Sequence, residues 1–286
     1  MSSILITGTT SGIGAEMNKI LSTSNQIVYG NRSGDPPLDM SSIKSINAFL
    51  EYHQAKTFDI IILNAGIKAT RKLVEWNGKY LNQCRVVNLV ANDYIINELM
   101  NRNMIANNAK IVLVSSITHW NAQDNPCPST TDTDPTDVNW ANLQYPNTKL
   151  GLFFLAKKIK RINPNLDIIV INPGMVSTNI FGDKNTDGFI SSTVRNVREF
   201  LSFTPAESAE YMVKSILSNK EDQTKEFRYF TPYQTLGVFG YYENTQMLQD
   251  VLGKHLLYRH VTDTDNFSKR VTDKAIEENY NRYMSP

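Results

Sequence analysis

The sequence predicts an α/β fold, a parallel sheet in three layers with helices on both faces. Three observations lead there. Short apolar runs alternate with amphipathic stretches along most of the chain, the pattern of strands and helices in turn. The first run, Ile4-Leu5-Ile6, passes directly into Thr7-Gly8-Thr9-Thr10-Ser11-Gly12-Ile13-Gly14 and then into helical spacing at Ala15, Met17, Ile20 and Leu21. A second cluster, Tyr145-Pro146-Asn147-Thr148-Lys149, lies downstream of Ser115-Ser116, which close a strand-like run.

In chain order, residues 4–7 form the first strand, 14–22 a helix and 26–30 the second strand. Residues 41–53 form a helix with Ile43, Ile46, Phe49 and Leu50 on one side. The apolar run 59–63 is a buried strand, 81–101 a long helix, and 110–115 a strand. A helix over 145–161 starts at Tyr145, because a residue before proline avoids α geometry and Pro146 fits a first turn. A strand follows at 167–171. Thr204-Pro205-Ala206-Glu207 combines a threonine cap, a first-turn proline and a glutamate three residues on, the start of a helix running to about residue 218. Residues 227–230 form a further strand, and helical spacing returns near 244–257 and 265–283. Only Ser33-Gly34-Asp35-Pro36-Pro37 separates Arg32 from Leu38-Asp39, too short for a parallel crossover. The helix between the second and third strands of a doubly wound sheet is therefore missing or very short, and the third strand is short or absent. The side of the pocket at this end, where an adenine would be covered, is therefore expected to be unusually open.

The whole chain sets further bounds. Its 286 residues suffice for one large domain, 1–286, with 179–203 as a lid and 231–286 as a C-terminal region. A net charge of +1 gives no electrostatic case for nucleic acid or a membrane surface. No run reaches the ~18 apolar residues of a membrane span. The first strand begins by residue 3, leaving no room for a leader, so the expected location is cytoplasmic. Two cysteines, Cys84 and Cys127, without metal-ligand spacing are read as free thiols in a reducing compartment. His53, His119, His255 and His260 are scattered, so no metal site is expected.

The glycine-rich turn between strand and helix is the setting for a dinucleotide's pyrophosphate. Glycine permits positive φ and close approach, and the helix N-terminus offers free N–H groups and partial positive charge. Gly8, Thr10, Ser11, Gly12, Ile13 and Gly14 are the residues placed there. Tyr145 and Lys149 are four apart and share a helix face. An ammonium beside a phenol lowers its pKa from about 10, and such a tyrosine exchanges a proton with an alcohol oxygen. Of the two serines only one can reach that oxygen, because period-two alternation sends them to opposite sides.

These residues together resemble the short-chain dehydrogenase/reductase family. Thr-Gly-x-x-x-Gly-x-Gly is met at 7–14, Asn-Ala-Gly at Asn64-Ala65-Gly66, the helix asparagine at Asn88, the serine at Ser116 and Tyr-x-x-x-Lys at Tyr145 and Lys149. Asn-Pro-Gly with Val-x-Thr is met at Asn172-Pro173-Gly174 and Val176-Ser177-Thr178. The resemblance covers roughly residues 3–220. Within the family the chain most resembles the retinol dehydrogenase and protochlorophyllide reductase-like branch, given the long stretch between Ser116 and Tyr145 and the sizeable C-terminal region.

The resemblance implies a Rossmann-type fold and an oxidoreductase passing hydride between a nicotinamide cofactor and a carbonyl or alcohol. It implies Asn88, Ser116, Tyr145 and Lys149 as the catalytic set, with Asn88 holding a relay water and Tyr145 and Lys149 also touching the cofactor. It places Asn64, Ala65 and Gly66 against the adenine-side ribose, Pro173, Gly174 and the Val176 backbone toward the nicotinamide carboxamide, and Thr178 on the carboxamide or a phosphate; the other reading of 172–178 is a plain strand-ending turn. Asp39, beside Met40, either accepts from the adenine amino group or caps the helix after it.

No acid follows the second strand, where an NAD enzyme places one for the ribose hydroxyls. Arg32, with Asn31 and Ser33, instead suits a 2′-phosphate, favouring NADP(H) with NAD(H) possible. The other reading of Arg32 is a residue facing water. The substrate side falls to His119, Trp120, Ile180 and Phe181, with Trp140 a weaker candidate. The aromatic stretch 233–242 serves either a bulky hydrophobic substrate or packing. A homodimer or homotetramer is compatible with the long helices. Two other classes share these motifs. A non-redox dehydratase or epimerase would show Thr-Gly-x-x-Gly-x-x-Gly, which is absent. A cofactor-binding scaffold protein would tend to lose the Tyr/Lys pair, which is kept.

Overall fold

The computed structural model describes residues 1–122, 138–176, 203–218, 227–235 and 238–243; side chains at 120, 121, 138–143 and 232–243 are not described. The helical stretches expected near 244–257 and 265–283 lie outside these residues.

Strand β1 (Ser3–Thr7) leads into α1 (Gly12–Leu21), then β2 (Gln26–Gly30), α2 (Ile43–Tyr52) and β3 (Phe58–Leu63). β6 (Ile105–Val114) and β7 (Asp167–Ile171) continue a parallel sheet to β8 (Arg228–Thr235), and β9 (Val238–Glu243) closes it antiparallel. The order is β2-β1-β3-β6-β7-β8-β9. This is the α/β, doubly wound architecture that the sequence predicts.

Period-two alternation splits the core in two. Leu5, Ile61, Ile111 and Leu113 face a layer that includes Phe49, Leu99 and Phe153. Ile4, Ile6, Ile62, Val112 and Ile169 face Met17 and Leu21 of α1 and Met212 and Ile216 of α6 (Pro205–Leu217). Both faces of the strands are thus apolar, as parallel strands covered by helices require. Truncating Phe153, fully buried, to alanine would cost about 3–5 kcal/mol.

Between β2 and α2 the chain forms no helix, as the short connection predicts. Leu38 packs onto Gly30, where an added Cβ would sit 2.3 Å from its Cδ2. The chain therefore passes from β2 directly to the α2 crossover, and β2 is the sheet edge.

Four elements differ from the sequence expectation. A hairpin, β4 (Leu73–Trp76) and β5 (Lys79–Asn82), precedes the helix expected from 81. Asn77 and Gly78 both take positive φ (51° and 79°), the requirement of a two-residue hairpin turn. The helix then begins at α3 (Gln83–Arg85), capped by the Asn82 side chain, widens into π geometry over Val86–Val90 and resumes as α4 (Ala91–Asn101). α5 (Val138–Ile162) starts well before Tyr145 and carries Pro146 in its interior. The prolyl nitrogen gives up one helix bond there, and the buried surroundings of 146–156 hold the helix despite that loss. Finally, the aromatic stretch 233–242 belongs to the β8–β9 hairpin.

Candidate active site

The carboxyl ends of β1, β3, β6 and β7 supply the residues of interest, the edge where ligands bind in open parallel sheets. The turn after β1 is tightly built. Gly8 and Gly12 have φ of 74° and 59°. A Cβ on Gly14 would lie 2.0 Å from Gly8 O and 2.5 Å from Asn64 Nδ2, so only glycine fits. The Thr7 hydroxyl accepts from the backbone N–H groups of Asn64 (3.1 Å) and Ala65 (3.0 Å). Asn64 Nδ2 donates back to the carbonyls of Thr7 (3.0 Å) and Gly8 (3.1 Å). Asn64 is thereby a strut between β1 and β3. The α1 terminus itself is left open. Ser11 occupies the cap position without a side-chain bond, and the first turn carries no acid. Thr10 and Ser11 are exposed, with Ile13 partly so.

On the β2 side, Asn31 is committed internally. Its amide donates to Thr9 Oγ1 (3.3 Å), and its Oδ1 accepts from the backbone and hydroxyl of Ser33 (both 3.1 Å). Arg32 projects from this braced turn and is exposed. Asp39 Oδ1 accepts from the Ser41 N–H (2.8 Å) and hydroxyl (2.7 Å), while Ser42 caps α2. The carboxylate thus organises the turn before the helix and is not the cap itself. Met40 is buried beside it.

At the centre the two serines diverge as alternation requires. Ser115 Oγ donates to the Lys149 carbonyl (2.9 Å). Ser116 Oγ accepts from Thr118 and is hydrogen-bonded to the Tyr145 hydroxyl. Lys149 Nζ lies 5.5 Å from the Tyr145 ring centroid and donates to the Val114 carbonyl (2.8 Å). Burial pulls the Lys149 ammonium down to about 8. Burial also pushes Tyr145 up to about 12, opposed by the Ser116 hydrogen bond. This corrects the expectation of a lysine-lowered phenol: in the free protein desolvation sets the direction, and the phenol stays protonated at neutral pH.

Asn88 sits within the π-helical stretch and is fully buried. Its Oδ1 accepts from Ile67 N (2.8 Å), and its Nδ2 lies within bonding distance of Ile67 O (2.9 Å), Cys84 Sγ (3.2 Å) and Thr148 Oγ1 (3.3 Å). Its main-chain carbonyl accepts from Asn92 Nδ2 (2.8 Å). Asn88 therefore clamps the turn after β3 beside Lys149. Gly66 fits between them: a Cβ there would be 3.3 Å from Asn88 Oδ1 and 3.5 Å from Lys149 Nζ. Cys84 is a free thiol, pushed up to about 12 by burial, and inert as a nucleophile.

After β7, Gly174 takes φ 84° and donates to Asn172 Oδ1 (3.0 Å), while Ser208 Oγ donates to the Pro173 carbonyl (2.9 Å). Val176 bridges to Phe203 and is buried. Thr178, Ile180, Phe181 and nearly all of the expected lid lie outside the described residues, as do 123–137 and the side chains of Trp120 and Trp140. His119, expected toward the substrate, is 1% exposed and turned into the core. Thr148, Asn92 and the Val114 carbonyl belong to the centre without a sequence signal: two are ordinary helix residues and one is a strand carbonyl. A depression lined by Thr57, Met100, Asn103 and Asn107 opens at the opposite edge, near the start of β6. Among the described residues no His/Cys/Asp/Glu group fits a metal, and no helix is long and apolar enough to cross a membrane.

The architecture defines a class: a Rossmann-type α/β protein with a glycine-rich turn at the sheet's carboxyl edge. No family model matches the chain, and no curated protein matches it. Among solved structures it is similar to the 3-α-hydroxysteroid dehydrogenase from Pseudomonas sp. B-0831, crystallised with NADH. That match has 20% identity and a TM-score of 0.56, and covers 75% of this chain and 89% of that one. It is also similar to an NADPH-bound carbonyl reductase from chicken fatty liver, with 19% identity, TM-score 0.54, and coverage of 80% and 95%. Salutaridine reductase from Papaver somniferum matches with 16% identity, TM-score 0.55, and coverage of 80% and 99%. At these identities the likeness establishes the shared fold.

Proposed function

We propose that this chain is a short-chain dehydrogenase/reductase, an NADP(H)-dependent oxidoreductase acting on a carbonyl or alcohol. The observation that carries the reading is the Ser116–Tyr145 hydroxyl pair beside buried Lys149, together with an uncapped helix N-terminus after β1. The proteins of similar fold include a dehydrogenase bound to NADH and a carbonyl reductase bound to NADPH.

The residues fit a dinucleotide on two counts. The first-turn N–H groups of α1 have no side-chain acceptor, and a Cβ at Gly14 would fill the turn. Lys149, fully buried, offers three N–H bonds, of which Val114 O takes one. The α1 turn would hold the pyrophosphate, Arg32 a 2′-phosphate, Lys149 the nicotinamide ribose, and the 173–176 turn the carboxamide. The nicotinamide supplies or accepts a hydride when bound. Ser116 Oγ donates to the substrate oxygen and fixes it beside Tyr145 Oη. Tyr145, protonated at neutral pH, delivers the proton to that oxygen, which suits the reductive direction. Lys149 restores charge balance behind the phenol, and Asn88 keeps the turn at Gly66 from closing on it.

An NADPH-oxidation screen across aldehydes, ketones, steroids, retinoids and enones tests this. Native protein turns over at least one carbonyl, and Tyr145→Phe loses at least about 1,000-fold in kcat with NADPH binding retained. Turnover surviving in Tyr145→Phe would remove Tyr145 from the mechanism.

A further inference from the structure

Directly behind Ser116 the structure buries an imidazole that the mechanism above does not use. His119 stands in the 3₁₀ turn Ile117–Asn121 that follows β6. Its ring packs against Phe153 (4.9 Å between centroids) and edge-on against Tyr229 of β8 (5.8 Å). Its Nδ1 is hydrogen-bonded to the Ser116 carbonyl, which also accepts the His119 backbone N–H (3.1 Å). A carbonyl only accepts, so Nδ1 carries the proton. Burial pushes the imidazole down to about 4, which keeps this neutral form throughout the physiological range.

Ser116 is thus gripped on both sides. Thr118 donates to its hydroxyl through N–H (3.3 Å) and Oγ1 (3.1 Å), and His119 donates twice to its carbonyl. The backbone is held extended at φ −157°, ψ 152°. The same ring touches Tyr229, whose hydroxyl lies against Thr231 and Asn172. Asn172 in turn bonds Thr231 Oγ1 (3.1 Å) and receives Gly174 N–H. One packed column therefore joins the turn after β6 to the turn after β7.

We propose that His119 is a positioning residue: it holds Ser116 in the orientation that meets Tyr145 and, through Tyr229, braces that turn against the Asn172–Gly174 turn. This rests on the reading in which Ser116 and Tyr145 act on one substrate oxygen. Sequence spacing points to His119 as a substrate contact; its burial places it behind the serine instead.

Two variants separate hydrogen bonding from packing. The amide nitrogen in His119→Asn stands where Nδ1 stands, whereas His119→Leu keeps bulk without a donor. With a carbonyl found in the screen, His119→Leu loses about 30-fold in kcat, while NADPH affinity stays within about 2-fold. His119→Asn stays within about 3-fold of native in kcat. Equal kcat in the two variants overturns the proposal and leaves a packing role. Should His119→Leu not fold, His119→Gln, whose amide mimics Nε2, takes its place with the same expected loss.

A second readout uses the free protein. The ¹⁵N shifts of the His119 ring show a protonated Nδ1, unchanged between pH 5 and 8. A proton on Nε2, or titration near 6.5, overturns the proposal. If no carbonyl is turned over by native protein, the reductase reading fails while the ring shifts still judge the His119 geometry.

Discussion

Two helices start at the carboxyl edge of this sheet, and they solve the same problem in opposite ways. α6 closes its own N-terminus. The Thr204 hydroxyl accepts from Glu207 N (3.2 Å), and the Glu207 carboxylate accepts from Thr204 N (2.8 Å) and its hydroxyl (2.8 Å). α1 has a serine at the equivalent position and makes no such bond, and three glycines crowd its approach. Orphan N–H groups are a cost that every helix must meet. α6 meets it internally and serves the fold. α1 leaves it unmet, which is stable in water but poised for an anion. The proposed nucleotide site rests on this difference.

The contrast can be broken most severely at Gly14. Gly14→Ala drives a methyl into Gly8 O, so a loss of at least about 3 kcal/mol in stability and of measurable NADPH binding is expected, read by thermal melting and nicotinamide fluorescence. Closing α1 with its own acceptor sharpens it: Ser11→Asp stabilises the free protein by about 0.5–1 kcal/mol and weakens NADPH at least about 10-fold. Opening α6 is the mirror experiment. Thr204→Ala costs about 1 kcal/mol in denaturant melts and leaves NADPH affinity unchanged.

The smallest effect is one of pH. Hydrogen bonds from Thr204 hold the Glu207 carboxyl below the usual carboxylate range. A depressed carboxyl contributes stability above its unfolded pKa and loses it as pH falls through the folded value. The difference between native and Glu207→Gln is therefore largest near pH 7 and shrinks below about pH 4.5.

Much of this was legible because the signals are local. The α1 turn, the α6 capping box and the missing helix after β2 each depend on a few adjacent residues. The hairpin at 73–82 carries a local signal as well, Asn77-Gly78 between Leu73-Val74 and Tyr80-Leu81, but the elements expected from the sequence include none between the strand at 59–63 and the helix at 81. The π stretch at Asn88 was not legible, since it arises from packing against Ile67 and Thr148, distant in sequence. The start of α5 was misplaced because Pro146 argues locally for a boundary that tertiary burial overrules. The serine pair was legible through alternation, whereas the titration of Tyr145 was not. Spacing shows that a lysine is near; only burial shows that desolvation governs the phenol. His119 failed as a substrate contact for the same reason, since a sequence does not show which way a turn residue faces.

The most direct measurement is a fluorescence titration of native protein and Ser11→Asp with NADPH. The account predicts one nucleotide per native chain, with affinity at least about 10-fold weaker once α1 carries its own anionic cap. Binding that Ser11→Asp leaves untouched, or no binding to the native chain, would contradict it.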